Sequence, residues 1–243
     1  MPDLPMKKVG IVSCSGEELP EGTVSRLAAL KILEHLRPAD TVTICLPLFL
    51  AGGEGDRAFA RFYPTIAIDG CDKRCAARGT EMYSGKPAAG IIVTELVASQ
   101  GLGKVEGKRH LNKAGQQAVE ATAARITELV DELLHKHWNR TTGTVVDSPL
   151  PAAPEPTQAS CSCGSGIPVQ EVVINGKMVT LIALPLIFQQ FHDSDKPVSQ
   201  ELPRALLESV KIYNQVPPGK EDAYAECLAR EYAAFLTQQG ATK

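Results

Sequence analysis

The segment that decides the fold is VGIVSC, residues 9–14, a short apolar run that ends at a Ser-Gly pair. An apolar run of this length, bounded by turn residues, is typical of a buried strand. Similar runs follow at residues 41–45 (TVTIC), 64–71 (PTIAIDGC) and 89–94 (AGIIVT). Strands that are apolar throughout indicate a parallel sheet that is covered on both faces.

Helix-like patterns separate these runs, so the first part of the chain alternates between strands and helices. Patterns with apolar residues three and four positions apart cover residues 23–36, 56–62, 71–83 and 111–138. This alternation predicts an α/β fold, with a Rossmann-like parallel sheet domain over residues 1–140.

The remaining third of the chain has a different composition. Residues 141–160 are rich in proline and alanine, which predicts an extended linker. Residues 161–243 are predicted to form a small α+β domain, in which residues 171–182 form a hairpin around Asn175-Gly176. Helical patterns follow at residues 186–191, 202–213 and 221–238.

Charge and hydropathy exclude several classes of function. The net charge is −3, from 25 basic and 28 acidic residues, so we expect neither a nucleic-acid partner nor an anionic membrane partner. No apolar run approaches the length of a membrane span, and the first residues lack a signal-peptide core, so a cytoplasmic location is expected. In a reducing compartment, an odd set of seven cysteines favours metal or redox chemistry over a disulfide framework.

Four cysteines follow the predicted strands. Cys14, Cys45 and Cys71 stand at strand ends, and Cys75 comes one helical turn after Cys71. The carboxyl ends of parallel strands lie on one edge of a sheet, where such folds build their sites. Four thiolates at one place predict a soft-metal site, with Zn²⁺ as the expected ion. The alternative is that each cysteine is a small buried apolar residue.

The charged residues around Cys71 and Cys75 have two interpretations. Lys73, Arg74 and Arg78 could offset the negative charge of a zinc–thiolate group, or they could be a solvated helix face. Asp69 could orient a ligand or a backbone amide, or it could simply form a turn with Gly70.

The tripeptide Asp69-Gly70-Cys71, followed by Cys75 and preceded by Cys14 and Cys45, resembles the signature of the DGC domain family. The resemblance covers about residues 8–100. It implies zinc binding by the four cysteines, and it supplies no established activity. The segment from Cys161 also looks like small anaerobe-associated proteins of unassigned function, which combine a Cys-x-Cys-Gly start with an Asn-Gly-Lys hairpin.

The other cysteines have separate interpretations. Cys161 and Cys163 stand two positions apart beside glycines, and they could chelate a metal, exchange disulfides or be ordinary linker residues. Cys227 shares an apolar face with its helical neighbours and is predicted to be in the core. The sequence lacks Gly-x-x-x-x-Gly-Lys-Ser/Thr, so an NTPase is not expected, and a nucleotide at the N-terminus of the helix after the first strand stays as an alternative. The five histidines show no spacing typical of a metal site or a catalytic triad.

Three functions remain open from the sequence. The first is a zinc-binding protein with one four-cysteine site that serves structure or metal handling rather than catalysis, because four protein ligands leave no open position for a substrate. The second is an iron–sulfur or thiol redox protein that uses the same cysteines, or Cys161 and Cys163. The third is an adaptor whose C-terminal domain binds a partner protein. The sequence identifies no catalytic residue.

Overall fold

The computed structural model describes residues 7–14, 16, 18–146, 167–193 and 201–240. These residues form two compact units, an N-terminal unit within residues 7–146 and a C-terminal unit within residues 167–240. The linker residues 147–160 and the cysteines Cys161 and Cys163 lie outside the described residues.

The N-terminal unit is built on a four-stranded parallel sheet with the strand order β2-β1-β3-β4. The strands are β1 (Val9–Ser13), β2 (Thr41–Thr43), β3 (Thr65–Asp69) and β4 (Ala89–Ile92). Each coincides with a predicted run, although β4 stops earlier because a helix begins at Val93. The predicted Rossmann-like α/β class is confirmed.

Helices cover both faces of this sheet. They are α1 (Pro20–Lys31), which continues as a π-helical turn over Ile32–Leu36, α2 (Leu48–Ala51), α3 (Glu54–Arg57), α4 (Phe59–Phe62), α5 (Cys75–Tyr83), α6 (Val93–Ser99) and α7 (Lys113–Leu134). The main apolar core lies between the sheet and α1, α6 and α7. Connections between parallel strands are right-handed. The helices α2, α3 and α4 between β2 and β3, and α5 between β3 and β4, therefore lie on the opposite face.

The end of the N-terminal unit differs from the sequence-based prediction. The helix predicted over residues 111–138 ends at Leu134, and a hairpin of β5 (His137–Asn139) and β6 (Thr144–Val146) follows. Trp138 Nε1 donates a hydrogen bond to Arg61 O over 2.8 Å. The start of the predicted linker, residues 141–146, therefore belongs to a hairpin that is anchored on this unit.

The C-terminal unit contains a two-stranded antiparallel sheet and three helices among its described residues. They are β7 (Val169–Ile174), β8 (Lys177–Ile182), α8 (Leu184–Asp193), α9 (Leu202–Lys211) and α10 (Glu221–Gly240). Asn175 and Gly176 have φ angles of 51° and 75°, which a type I′ turn requires. The predicted hairpin is confirmed. In neither unit is a described helix both long and apolar enough to cross a membrane.

An ion pair joins the end of α1 to α7 and gives a pH-dependent prediction. Arg37 donates two hydrogen bonds to the Asp131 carboxylate, and these bonds hold the pKa of Asp131 below its ordinary value. Because the pKa is lower in the folded chain, the pair stabilises the fold above the unfolded pKa, and this contribution is lost as the pH falls through the folded pKa.

Asp131→Asn is therefore expected to lower the free energy of unfolding at neutral pH by at most about 1 kcal/mol, since both side chains are partly exposed. The difference between variant and parent should begin to shrink as the pH falls below about 4, the ordinary pKa of an aspartate, and it should vanish only below the lowered pKa of folded Asp131. Urea denaturation at several pH values measures both effects. An equal difference at every pH would show that the ion pair is not its source.

Candidate metal centre

Three cysteines lie at the carboxyl edge of the parallel sheet. Cys14 follows β1 directly, while Cys45 and Cys71 each come two residues after the ends of β2 and β3. The chain passes from β1 to β2 on one side and then crosses to β3 on the other, so Cys14 and Cys71 flank the point where the strand order reverses. In open parallel sheets this switch point is where ligands bind.

Cys14 is fixed by its surroundings. Its thiol is buried, its Sγ accepts a hydrogen bond from Gly70 N over 3.2 Å, and it lies 3.2 Å from Ser25 Oγ. Burial raises the pKa of the Cys14 thiol, and the nearby charges of Asp69 and Cys75 also raise it, whereas the bonds from Ser25 and Gly70 lower it. An amide N–H that points at sulfur favours the thiolate, which is the form that binds metals.

The other three candidate ligands lie in more accessible positions. Cys45 and Cys75 are exposed, and Cys71 is half-buried. The loop after β2 packs against the helix that begins at Cys75, because a Cβ added at Gly79 would lie 3.0 Å from Leu46 Cδ1. The two segments that carry Cys45 and Cys75 are thus neighbours at this edge.

Three glycines hold the backbone of this edge together. A Cβ added at Gly22 would lie 2.3 Å from Gly16 Cα, and one added at Gly70 would lie 2.7 Å from Gly22 N. The loop after β1, the first turn of α1 and the loop after β3 therefore touch through backbone atoms. Side chains larger than hydrogen at these positions would separate the segments that carry Cys14 and Cys71.

Asp69 is buried at the end of β3, with 1% of its surface exposed. Its two carboxylate oxygens accept hydrogen bonds from Ala76 N over 2.7 Å and from Ala77 N over 3.1 Å. Burial raises the pKa of Asp69, while these bonds and the charges of Arg74 and Arg78 lower it. The sequence suggested that Asp69 orients a ligand, orients a backbone amide or forms a turn. The structure shows that it orients backbone amides, those of Ala76 and Ala77.

The segment that contains these features matches a known family. Residues 10–126 match the DGC domain. We call residues 10–126 the DGC domain after this match. It includes Cys14, Cys45, Cys71 and Cys75, so the resemblance drawn from the sequence is confirmed for the N-terminal unit. No curated protein and no solved structure matches the chain significantly.

The donor chemistry of the DGC domain fits a soft metal ion, since its strand ends carry three thiols, the start of α5 carries a fourth, and an amide points at one of them. The side chains as they stand do not form a coordination group. Throughout the part of the chain that the structure describes, no group of three or more His, Cys, Asp or Glu side chains is arranged to hold an ion. Coordination by all four thiols therefore requires the accessible cysteines to turn towards the buried Cys14.

The basic residues of the DGC domain lie at the surface. Lys73, Arg74 and Arg78 are exposed, and the charges of the last two act on Asp69. Sequence reasoning did not identify Ser25, because a serine inside a helix carries no distinctive pattern. The close contact between Gly22 and Gly16 was also missed, since glycine pairs of this kind are visible only in three dimensions.

Outside the DGC domain, one cysteine can be placed. Cys227 is buried in α10, as predicted, and its Sγ lies 3.4 Å from Arg230 Nη2. Cys227 belongs to the core of the C-terminal unit.

Proposed function

We propose that this protein binds one soft metal ion, Zn²⁺, through Cys14, Cys45, Cys71 and Cys75 at the carboxyl edge of its parallel sheet. The observation that carries the proposal is the strand order, which brings three cysteine-bearing strand ends to one edge and puts two of them beside the switch point. The match to the DGC domain is compatible with this metal-binding role.

The thiol environments support a site with one fixed and several adaptable ligands. Cys14 is buried and receives an amide hydrogen bond, so its position changes little. Cys45 and Cys75 are exposed, so their side chains can rotate without disrupting the core. Cys14 would supply a buried ligand to the ion, and Cys45, Cys71 and Cys75 would supply more accessible ones.

A site of four thiolates has a structural or metal-handling function. Zinc with four protein ligands has no open position for water or substrate, so the ion itself would not activate a substrate. The zinc–thiolate group would carry a net charge of about −2, since four thiolates outweigh one divalent ion. Arg74 and Arg78, whose charges act on the neighbouring Asp69, would offset part of that charge.

Anaerobic metal analysis of the purified full-length chain tests the proposal. We expect about one zinc ion per chain in the parent and a large loss of zinc in Cys71→Ser, with lower thermal stability because metal binding is coupled to folding. Cys227→Ser is the matched control, since it removes a cysteine that lies outside the DGC domain and should leave the zinc content unchanged.

Unchanged zinc content in Cys71→Ser would refute the proposed ligand set. The same preparation tests the iron–sulfur alternative, because the same thiolates can hold such a cluster, and hydrogen bonds to the sulfur atoms tune it. If the parent protein is brown and Cys71→Ser abolishes its visible absorption, the site holds an iron–sulfur cluster instead of zinc. A colourless protein that contains zinc supports the first proposal.

A further inference from the structure

We propose that Asp69 is the positioning residue of this metal site: it fixes Cys75 by holding the first turn of α5 against the end of β3, and it is not itself a ligand. This inference rests on the proposed function. It assigns a role to the buried carboxylate of Asp69. In the sequence Asp69 lies between Cys45 and Cys71, and it contacts the segment that carries Cys75.

The hydrogen bonds of Asp69 point towards the helix. Its Oδ1 accepts from Ala76 N and its Oδ2 accepts from Ala77 N, the two amides that directly follow Cys75. Both carboxylate oxygens are thus engaged by α5 in a buried environment. Each oxygen keeps a second lone pair, so the bonds alone do not exclude a ligand role. Both bonds run to the helix backbone, however, and a positioning role uses them as they are.

The start of α5 has no cap of its own. The residue at the N-cap position, Arg74, makes no side-chain capping hydrogen bond and has a left-handed backbone with a φ angle of 53°. That conformation is unfavourable for a residue with a Cβ. Asp69, at the end of β3, therefore caps α5 in place of a residue at the N-cap position. In this way it holds the backbone around Cys75.

The residue after Asp69 completes the arrangement. Gly70 N donates to Cys14 Sγ over 3.2 Å, so two consecutive residues at the end of β3 set the surroundings of two proposed ligands. The fold thus fixes the side chain of Cys14 and the backbone that carries Cys75, while the exposed Cys75 side chain can still rotate.

Electrostatics and positioning predict opposite results for the loss of the Asp69 charge. The carboxylate repels nearby thiolates, so its neutralisation in Asp69→Asn would strengthen metal binding if charge were its main effect. A positioning role predicts weaker binding, because an amide side chain presents only one acceptor oxygen to two helix amides. The sign of the change separates the two explanations.

The experiment measures zinc affinity by competition with a chelator for the full-length parent, Asp69→Asn and Asn112→Ala. Asn112 caps α7 in the same unit, where its Oδ1 accepts from Gly115 N over 2.8 Å. We expect Asp69→Asn to weaken zinc affinity by about 10- to 100-fold, the effect typical of residues that orient metal ligands. Asn112→Ala should lower thermal stability and leave zinc affinity unchanged.

A second readout uses the metal-free protein and separates this inference from the proposed function. Amide hydrogen exchange at Ala76 and Ala77, and the rate at which iodoacetamide alkylates Cys75, should both change in Asp69→Asn and stay unchanged in Asn112→Ala. If the parent binds no zinc, the proposed function fails, and these measurements still decide whether Asp69 positions Cys75. Unchanged exchange at Ala76 and Ala77 would refute the positioning role.

Two further outcomes decide the inference. Zinc affinity that is equal to or tighter than that of the parent in a folded Asp69→Asn protein would overturn it. If Asp69→Asn does not fold, Asp69→Glu takes its place, because it retains the charge and moves the carboxylate by one methylene. Asp69→Glu is expected to weaken zinc affinity as well. A parent-like affinity in Asp69→Glu would contradict the proposal that the position of the carboxylate matters.

Discussion

Replacement of Gly22 by alanine is expected to destabilise the N-terminal unit by about 1–3 kcal/mol, the range for overpacked interiors. In an ordinary helix the same change stabilises by about 1 kcal/mol, because alanine has the higher helix propensity. Here the new Cβ would lie 2.3 Å from both Gly16 Cα and Gly16 O, and these backbone atoms cannot turn away as a side chain would. The loop that carries Cys14 must move, so zinc affinity should fall in parallel.

Urea denaturation followed by tryptophan fluorescence measures this effect, since the only tryptophan of the chain, Trp138, lies in the N-terminal unit. The matched control is Gly90→Ala in β4, where the nearest atom to an added Cβ is Ala67 O at an ordinary distance of 3.6 Å. That control should retain parent-like stability. A Gly22→Ala protein as stable as the parent would show that the contact with Gly16 relaxes freely.

Truncation of Phe188 is expected to have the largest effect in the C-terminal unit, a loss of about 3–5 kcal/mol. Phe188 is 1% exposed, and its ring centroid lies 5.4 Å from that of Tyr232 and 5.7 Å from that of Phe235. In Phe188→Ala the aromatic ring is lost from between α8 and α10, and the surrounding side chains cannot fill the space completely. The contacts that connect these two helices would be weakened most.

Hydrogen exchange of peptides from α8 and α10, measured by mass spectrometry, monitors this unit. Met178→Ala is the control, because 67% of the Met178 surface is exposed and its truncation should change stability by no more than about 0.5 kcal/mol. Comparable loss of protection in the two variants would indicate that Phe188 is not central to this core.

The sequence predicted the parallel sheet because its strands are buried on both faces and therefore read as continuous apolar runs. The type I′ hairpin was equally predictable, since Asn175 and Gly176 both adopt positive φ angles. Predictions were poorer where tertiary contacts decide the structure. The pattern that predicted one helix up to residue 138 contains Trp138, whose indole instead donates to Arg61 O, 77 positions away in the sequence.

The connection between β2 and β3 was also simplified by sequence reasoning. A single helix was predicted over residues 56–62, and the structure has α3 and α4 there, with α2 before them. Phe59 packs closely on the sheet, as its ring would lie only 2.7 Å from a Cβ at Gly10. Short helices allow such an approach, and apolar periodicity alone does not reveal where a helix must break to achieve it.

For the candidate site, the spacing of cysteines and strands was sufficient to predict a shared sheet edge. It was not sufficient to predict how accessible each thiol is, because that depends on the packing of α1 and α5. Asp69 illustrates the same limit. Its place before Gly70 suggested a turn, a ligand or an orienting group, and only the two bonds to Ala76 and Ala77 distinguish among them.

The unequal burial of the four cysteines has a consequence for oxidative damage. Peroxide and other small oxidants react with accessible thiolates first, so Cys45 and Cys75 would form sulfenic acids before Cys14 does. The Cys14 sulfur is covered by Gly70 and Ser25, and burial raises the pKa of its thiol, which disfavours the reactive thiolate. In a cell under oxidative stress, the metal-free chain would lose its outer ligands one by one while its innermost thiol stayed reduced.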